Sequence, residues 1–319
     1  MAENGAVSAK KSGGVGKGES LRQFRQEPQY EAVRRGVEDE GFPVSTACRA
    51  LHVSRAGYYQ WRSGEAGIRV TENQRIAGLV GEIHRESPDK GYRRIRDDLD
   101  KYYHAPVNDK RALRICRSLG IQSAVKYAPR GCTRSAASPK HLAENILNRR
   151  FYADRPNEKW LTDVTEFHYY VGPTMHKLYL SAILDLCDRR IVSFAIRDAN
   201  DTALVHNTLD QALETNPGVH PMLHSDRGCA YTTQIFHDKL TAAGITQSMS
   251  RVGKCTDNGP MEGFWGILKR ERYYGRRFTS RAALVCMIRE YITYYNFRRL
   301  QRGLGVRTPM EVHDCLLAA

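Results

Sequence analysis

The chain has 319 residues, 41% of them apolar, which is enough for two or three domains with hydrophobic cores. A formal net charge of +14 and an isoelectric point near 9.5 indicate a polyanionic partner, and nucleic acid is the commonest one for such a protein. The sequence contains no run of eighteen apolar residues, no export signal and no CxxC pair among its eight cysteines, so we expect no membrane span, no secretion and no zinc site.

The first predicted elements are a tail and two short helices. Residues 1–27 are polar and basic with little to bury, and we expect a disordered tail there. Apolar residues at three- and four-residue steps predict a helix-turn-helix over residues 28–64, and Ser54 can cap its second helix. That helix would present Arg55 to the major groove of DNA. Its three aromatic residues are interpreted as core residues rather than base readers: Tyr58, Tyr59 and Trp61.

A second helical DNA-binding module is predicted over residues 68–120, where apolar stripes again recur at helical spacing. It contains Arg93 and Arg94, which we interpret as phosphate contacts, because most hydrogen bonds from proteins to DNA go to the DNA backbone. Residues 121–156 predict a basic linker, since residues 121–150 contain six Lys or Arg and a single Glu among small residues. Such a linker either lies along DNA or is merely a solvated connection.

Strands and helices alternate in the pattern beyond residue 157. Three strand-like runs come first, followed by a helix, a strand, a second helix and a fifth strand, which predicts an α/β domain with a mixed five-stranded sheet over residues 157–275. The runs are Trp160–Tyr169, Lys177–Asp185, Arg189–Ile196, Thr202–Leu213, the strand at Met222, Thr232–Ala243 and Ile245–Met249. Residues 276–319 predict a basic helical tail, because the stretch 263–309 carries eleven Lys or Arg against two Glu.

Three acids in this domain are candidate metal ligands. Asp163 lies within the first strand on the face that it shares with Phe167, where an unpaired carboxylate is costly. Asp226 follows the fourth strand, and thirty-five residues separate it from Glu262, near the start of a helix. Carboxylates without His or Cys partners suit Mg²⁺ or Mn²⁺, and two such ions can clamp the attacking and leaving oxygens of a phosphoryl transfer. We expect these acids to form a two-ion site if the first and fourth strands are neighbours.

The helix that carries Glu262 has two further candidates. Asn258, Glu262 and Lys269 fall at steps of four and seven, so their side chains would face the same cavity. Asn258 is a candidate DNA contact, and the alternative is that it caps the helix. Lys269 is either a group of the site or a solvated helix residue. His224, beside the second acid, is either a group that supports the site or a satisfied histidine at a strand end.

The segments that carry these residues resemble a known family. The strand acid after Trp160, the HSDRG segment, the spacing of thirty-five, the NGPMEGFWGILKRE helix and the YYNFRRLQRGLGVRTPMEV tail together resemble the DDE transposases of the insertion-sequence-three family. In particular, they resemble the product of its second open reading frame. That family is related in fold to retroviral integrases and RNase H, so the resemblance implies an RNase H-like catalytic core.

The resemblance also implies roles for individual residues. Asp163, Asp226 and Glu262 would be the metal-binding catalytic triad, and Lys269 would touch DNA near the transposon end. The GYRRI segment would belong to a second helix-turn-helix. The family's tail usually has His two residues after an Arg, whereas this chain has Gln301 at that position, so no role is assigned to it.

Together these features predict the DNA transposase of a bacterial insertion sequence, which cleaves a strand at the element's end with Mg²⁺ and joins the freed 3′ hydroxyl to a second phosphodiester. Two rival functions are a helix-turn-helix regulator with an inactive catalytic domain and a hydrolytic nuclease of the RNase H kind. The expected partners are element-end and target DNA, further copies of the chain, and the upstream reading frame product, separate or fused. The expected location is the bacterial cytoplasm, at the nucleoid and away from membranes.

Overall fold

The structure is a computed structural model that describes residues 21–64, 68–124 and 142–318, apart from the side chains of residues 21–27, 68–69 and Cys255. The chain divides into two compact units, one that ends at Ser123 and one that begins at Ala124. Over the described ranges, every helix is too short or too polar to cross a membrane.

The described part of the N-terminal unit is entirely helical, as the sequence predicts. Its helices are α1 (Leu21–Glu38), α2 (Val44–Ala50), α3 (Arg55–Ser63), α4 (Ile68–Glu86), α5 (Tyr92–Tyr103) and α6 (Asp109–Ser118). Helix α1 begins inside the segment predicted as a tail, and residues 1–20 of that segment lie outside the described residues.

Two apolar clusters stabilise these helices. The first joins α1, α2 and α3 around Val33 and Tyr58, which are fully buried. The second joins α4, α5 and α6 around Ile76, Val80 and Leu99. Each cluster is formed by apolar side chains of three consecutive helices. The unit therefore contains two helical modules, each with its own core.

Helix α3 packs closely on α1 because its third residue is a glycine. Ser54 caps α3 by accepting a hydrogen bond from the Gly57 backbone N–H at 3.0 Å. A Cβ atom on Gly57 would clash with the Tyr30 hydroxyl group and would lie 2.9 Å from the Ser54 hydroxyl oxygen. Tyr30 is only 5% exposed, so its ring has little room to move aside. Glycine here permits the α1–α3 contact at a cost in helix propensity of about 1 kcal/mol.

The second unit contains a mixed five-stranded sheet, which confirms the predicted fold class. The strands are β1 (Lys159–Val171), β2 (Thr174–Asp185), β3 (Ile191–Arg197), β4 (Met222–Ser225) and β5 (Thr246–Met249). The first three form an antiparallel meander, β4 and β5 run parallel to β1, and the strand order is β3-β2-β1-β4-β5. The helices are α7 (Thr202–Thr215), α8 (Gln234–Ala242), α9 (Gly259–Leu268), α10 (Arg281–Phe297) and α11 (Pro309–Leu317).

Apolar side chains cover both faces of this sheet. One cluster packs Leu161 and Phe167 of β1 against α9 and α10, and Ile288 of α10 is fully buried in it. The other cluster packs Trp160 of β1 against α7 and α8. Successive strand residues point to opposite faces, so Asp163 lies on the side of α9 and α10. Helix α10, in the predicted basic tail, therefore contributes directly to the core of this unit.

Residues 142–156, in the predicted linker, lie against the sheet. The Met249 backbone N–H of β5 donates to the Glu144 carbonyl oxygen at 3.1 Å, and Leu147 is 1% exposed. Ala153 is also buried, and Phe151 packs against the same apolar cluster. The basic composition of the segment does not indicate this packing, because few of its residues are apolar. Residues 125–141 of the predicted linker lie outside the described residues.

We expect Gly57→Ala to destabilise the N-terminal unit by about 1–3 kcal/mol, because the added methyl group overpacks the α1–α3 contact. The matched control is Gly78→Ala in α4, where a Cβ atom meets open space and alanine favours the helix by up to about 1 kcal/mol. Calorimetric unfolding of the full chain measures both variants. The unfolding temperature of the N-terminal unit should fall only for Gly57→Ala. An unchanged unfolding temperature for that variant would contradict the tight contact between α1 and α3.

Candidate active site

The parallel pairing of β1 with β4 brings two of the predicted acids level with each other. In this ladder Leu161 of β1 pairs with His224 of β4. Continuing the same register by two residues places Asp226 opposite Asp163, and neighbouring strands lie about 4.8 Å apart. Asp163 is part of β1, whereas Asp226 is the first residue after β4. Both acids therefore lie near the sheet centre, at the carboxyl end of β4.

The surroundings of Asp163 disfavour its negative charge. Burial is the largest cause, and the charges of Asp226 and Glu262 add to it, so the pKa of Asp163 rises to about 7. The Trp265 indole N–H donates to Asp163 Oδ2 at 3.0 Å, which offsets part of this effect. A buried carboxyl group that faces two other acids indicates a place for positive charge.

Asp226 is oriented by its own loop. Burial raises the pKa of Asp226, and the Gly228 backbone N–H donates to its Oδ1 atom at 2.8 Å. A Cβ atom on Gly228 would lie 2.9 Å from that oxygen, so a side chain there would push the carboxylate away. The sequence signal for this role is the glycine two residues after the acid, which the sequence analysis includes only as part of the HSDRG segment.

Glu262 extends from the first turn of α9. Pro260 lies in the first turn of this helix, and Trp265, almost one turn after Glu262, anchors it to β1. Glu262 is exposed overall. Its carboxyl group is nevertheless partly buried, and this burial raises its pKa. The effect of its charge on the pKa of Asp163 shows that the two carboxyl groups interact. The long exposed side chain can turn towards the other acids.

The three acids interact without forming a closed ligand set. Across residues 21–64, 68–124 and 142–318, no three or more His, Cys, Asp or Glu side chains are gathered closely enough to hold a metal ion. The donors of Asp163, Asp226 and Glu262 are oxygen atoms only, and such donors suit a hard divalent cation.

Asn258 is the N-cap residue of α9, but its side chain makes no capping hydrogen bond to the helix backbone. Its Nδ2 atom instead donates to the Thr162 carbonyl oxygen at 3.1 Å, which ties the start of α9 to β1 next to Asp163. Asn258 is 3% exposed, and its Oδ1 atom lacks a hydrogen-bond partner among the described residues. Its contact with DNA stays a prediction.

The acid before Asn258 is held in a different way from the acids of the site. Asp257 is fully buried, and the Arg251 guanidinium donates to both of its oxygens at 2.9 Å. The Arg251 side chain holds the pKa of Asp257 well below its usual range. The charge of Asp257 is therefore satisfied within the protein, whereas that of Asp163 is not.

His224 is a buried histidine with both ring nitrogens satisfied. They are 2.8 Å and 3.1 Å from the hydroxyl oxygens of Ser248 and Ser250. Burial lowers the pKa of His224 to about 4, so the ring is neutral at physiological pH. Of the two interpretations of this residue, the geometry favours a satisfied histidine at a strand end.

Lys269 begins a π-helical turn, Lys269–Tyr273, that follows α9. Its Nζ atom lies 5.0 Å from the centre of the Phe167 ring on β1. Phe167 and Asp163 share one face of that strand, so Lys269 lies on the side of the acids, as the helical spacing predicts. The turn itself departs from the continuous α-helix that the sequence predicts, and π turns are frequent at functional sites.

The two neighbouring arginines of the second helical module differ in their contacts. Arg93 is exposed on α5, and its guanidinium lies over the Tyr92 ring at 5.4 Å. Arg94 is half-buried and pairs with Asp89 at 3.1 Å. Arg93 is therefore exposed at the surface, whereas the Arg94 guanidinium is paired with Asp89 inside the module.

The exposed face of α3 contains a residue that the sequence analysis places in the core. Tyr59 is 54% exposed, so that prediction is wrong, whereas Tyr58 is fully buried. Tyr59 and Gln60 lie on the outer face with Arg55, one turn earlier. Adjacent tyrosines cannot both fit one apolar stripe, and the pattern alone does not decide between them.

Known proteins share these features. Two integrase core domain models match residues 153–255 and 243–309, and an HTH-like domain model matches residues 71–129. The transposase InsK for insertion sequence element IS150 of Escherichia coli is 35% identical over 275 residues, which cover 86% of this chain and 94% of that protein. The transposase InsF for insertion sequence IS3A of Escherichia coli is 28% identical over 284 residues, which cover 87% and 96%.

Solved structures show a weaker likeness. The HTLV-2 integrase catalytic core domain in complex with magnesium, in its dimeric form, is 18% identical to this chain, with a TM-score of 0.38. The likeness covers 50% of this chain and 98% of that one.

An integrase core joined to an HTH-like module defines a polynucleotidyl transferase of the DDE transposase class. The chain belongs to the IS3 family of insertion-sequence transposases and is similar to the product of its second open reading frame. A catalytically inactive regulator is not favoured, because the relatives are transposases and their similarity extends across the integrase core.

We expect Asp163→Asn to raise the melting temperature of the metal-free protein by several degrees at pH 8. The folded-state pKa of Asp163, about 7, lies above its value of about 3.9 in the unfolded chain. Protonated Asp163 therefore makes its full contribution to the free energy of unfolding below about pH 4, and this contribution is lost as the pH rises through 7. The gain from Asp163→Asn should shrink at pH 5.

Asp257→Asn is the contrasting control for this measurement. Its depressed pKa stabilises the fold above about pH 4, so the substitution should lower the melting temperature at pH 8. Thermal melts followed by circular dichroism between pH 5 and pH 8 measure both variants. A lower melting temperature for Asp163→Asn at pH 8 would contradict the repulsion among the acids.

Proposed function

We propose that Asp163, Asp226 and Glu262 form the catalytic centre of this transposase. The observation that carries the proposal is the parallel pairing of β1 with β4, which brings Asp163 level with Asp226, the residue after β4. The raised pKa of Asp163, to which burial and the charges of the other two acids contribute, supports it. A fold retains acids that repel one another when their combined charge serves a function, and binding of cations is the simplest such function.

We propose further that these acids bind two Mg²⁺ ions, with Mn²⁺ as an alternative. Their donor atoms are all oxygens, which fit hard cations. When bound, the ions supply positive charge to the attacking and leaving oxygens of a phosphoryl transfer. Glu262 would complete the ligand set by turning inward, towards Asp163 and Asp226.

The proposed reaction consists of two phosphoryl transfers. In the first, water attacks a phosphodiester at the element's end, the bond from phosphorus to the 3′ oxygen breaks, and that oxygen leaves as a 3′ hydroxyl. In the second, this hydroxyl attacks a target phosphodiester, loses its proton, and displaces the 3′ oxygen of the target strand, which gains a proton. Neither step requires a covalent bond to the protein, so no Ser or Tyr nucleophile is assigned.

The DNA backbone is proposed to pass beside Lys269. This residue lies on the same side of β1 as Asp163, where its charge would favour a phosphate close to the acids. Basic residues continue into the segment after the π turn, where Arg276 and Arg277 are exposed. The Arg277 guanidinium lies 4.6 Å from the centre of the Tyr170 ring, which holds it against the end of β1. These groups suit a polyanion that extends beyond the acids.

Two surfaces of the N-terminal unit are also proposed to bind DNA. The outer face of α3 presents Arg55, Tyr59 and Gln60, and Arg and Gln are residue types that read base edges in a major groove. Arg93 on α5 is proposed to contact a phosphate. The first surface would give sequence preference, and the second would give affinity that falls as salt rises.

We also propose that two or more copies of the chain act together, because both ends of an element must be cut and joined. The upstream reading frame product, separate or fused, is a candidate partner. The reaction would take place on chromosomal DNA in the bacterial cytoplasm.

We expect Asp163→Asn, Asp226→Asn and Glu262→Gln each to reduce Mg²⁺-dependent strand cleavage by about a hundredfold or more, because each would remove a charge that the reaction needs. The substrate is a labelled duplex of the element's own terminal repeat, and gel electrophoresis resolves the products. Binding of that duplex, measured by gel shift, should be retained. The matched control is Glu166→Gln, an acid on β1 that pairs with Lys177 at 3.0 Å and should keep its activity. Cleavage retained by Asp226→Asn would contradict the proposed centre.

We expect Arg93→Gln to weaken binding of the same duplex and to reduce the slope of log K against log salt by about 1, because one phosphate contact is lost. Arg94→Gln makes the same change in charge one residue away. It should leave the slope unchanged and lower the melting temperature, because Asp89 loses an ion-pair partner. Fluorescence anisotropy over a salt series measures the slopes, and equal reductions for both variants would show that Arg94 also contacts DNA.

A further inference from the structure

A segment ahead of the catalytic core, residues 142–151, lies against the end of β5, and we call it the strap. The Met249 backbone N–H donates to the Glu144 carbonyl oxygen at 3.1 Å, and the Leu147 backbone N–H donates to Ser248 Oγ at 3.1 Å. The Leu147 side chain is 1% exposed and belongs to the apolar cluster that includes β1 and α9. The strap lies between the parts of the chain that match the HTH-like and integrase core models.

The carboxylate of Asp257 joins the strap to the loop that leads into α9. Although fully buried, it accepts hydrogen bonds from two side chains of the strap, from Arg149 Nε at 2.6 Å and from Asn145 Nδ2 at 2.9 Å. Arg251, in the loop itself, donates to the same carboxylate through Nε and Nη2. Arg149 also donates to the Thr256 hydroxyl at 2.8 Å. A buried charge with these partners holds both segments in one arrangement, because loss of a partner is costly.

Asn258, the residue after Asp257, connects the same loop to the sheet. Asn258 Nδ2 donates to the carbonyl oxygen of Thr162, the residue before Asp163 on β1. Glu262 lies one turn beyond Asn258 at the start of α9. The contacts of Asp257 and Asn258 together determine where α9 begins relative to β1, and therefore how far the Glu262 carboxyl group lies from that of Asp163.

We propose that Asp257 and Asn258 are positioning residues of the catalytic centre, and that docking of the strap on Asp257 sets the position of Glu262. The inference rests on the proposed role of Asp163, Asp226 and Glu262 as metal ligands. The two residues act through Glu262.

The affinity of the full chain for Mn²⁺, measured by isothermal titration calorimetry, tests this inference. Asp257→Asn and Arg149→Gln should each weaken Mn²⁺ binding about tenfold, since groups that orient metal ligands commonly contribute that much. Removal of a positive charge would by itself strengthen cation binding, so the expected direction for Arg149→Gln distinguishes positioning from simple electrostatics. The matched control is Arg150→Gln, which changes an exposed arginine of the strap and should leave the affinity unchanged.

Hydrogen exchange of the strap, measured on the same proteins, shows whether it has been released. A released strap with unchanged Mn²⁺ affinity would overturn the inference, because Asp257 would then stabilise the fold without positioning Glu262. The side chain of Arg149 is 45% exposed, so Arg149→Gln keeps the test available if Asp257→Asn fails to fold. Asp163→Asn separates this test from the proposed function: if it leaves Mn²⁺ affinity unchanged, the proposed metal site itself is wrong, whatever the strap does.

Discussion

The parallel pairing of β1 with β4 is the constraint on which the site depends. It brings Asp163 level with Asp226, the residue that follows β4. Burial raises the pKa of both acids, and the charge of Asp226 raises the pKa of Asp163 further. Such groups are costly inside a sheet, and the apolar clusters on its two faces offset that cost. These clusters stabilise the fold around the acids.

The rest of the catalytic unit brings the third acid to this pair. Helix α9 contacts β1 through the side chains of Trp265 and Asn258, which bond to Asp163 itself and to the residue before it. Helix α10 supports α9 from behind, and the rings of Phe264 and Tyr295 meet edge to face at 4.8 Å. Tyr295 of the predicted tail is therefore part of the core, whereas several arginines of that tail are exposed at the surface.

The sequence predicts the strands well, because period-two alternation and short turns are local signals. The candidate acids follow from their spacing and from the family resemblance. The groups that orient these acids could not be predicted in this way. Asp257 accepts a hydrogen bond from Arg149, 108 positions away in the chain, and no local sequence pattern predicts such a contact. The burial of Tyr58 rather than Tyr59 could not be predicted for another reason, because either of two adjacent tyrosines can belong to the apolar stripe of the helix. The close approach of Gly228 to Asp226 likewise depends on atomic positions.

A crystal structure of the protein soaked with Mn²⁺ tests the central claim most directly, because anomalous scattering locates the ions. We predict peaks roughly 3.5–4 Å apart, bound by carboxyl oxygens of Asp163, Asp226 and Glu262, with the Glu262 side chain turned inward. Carboxyl groups that stay apart while Mn²⁺ binds elsewhere, or does not bind at all, would contradict the proposed centre.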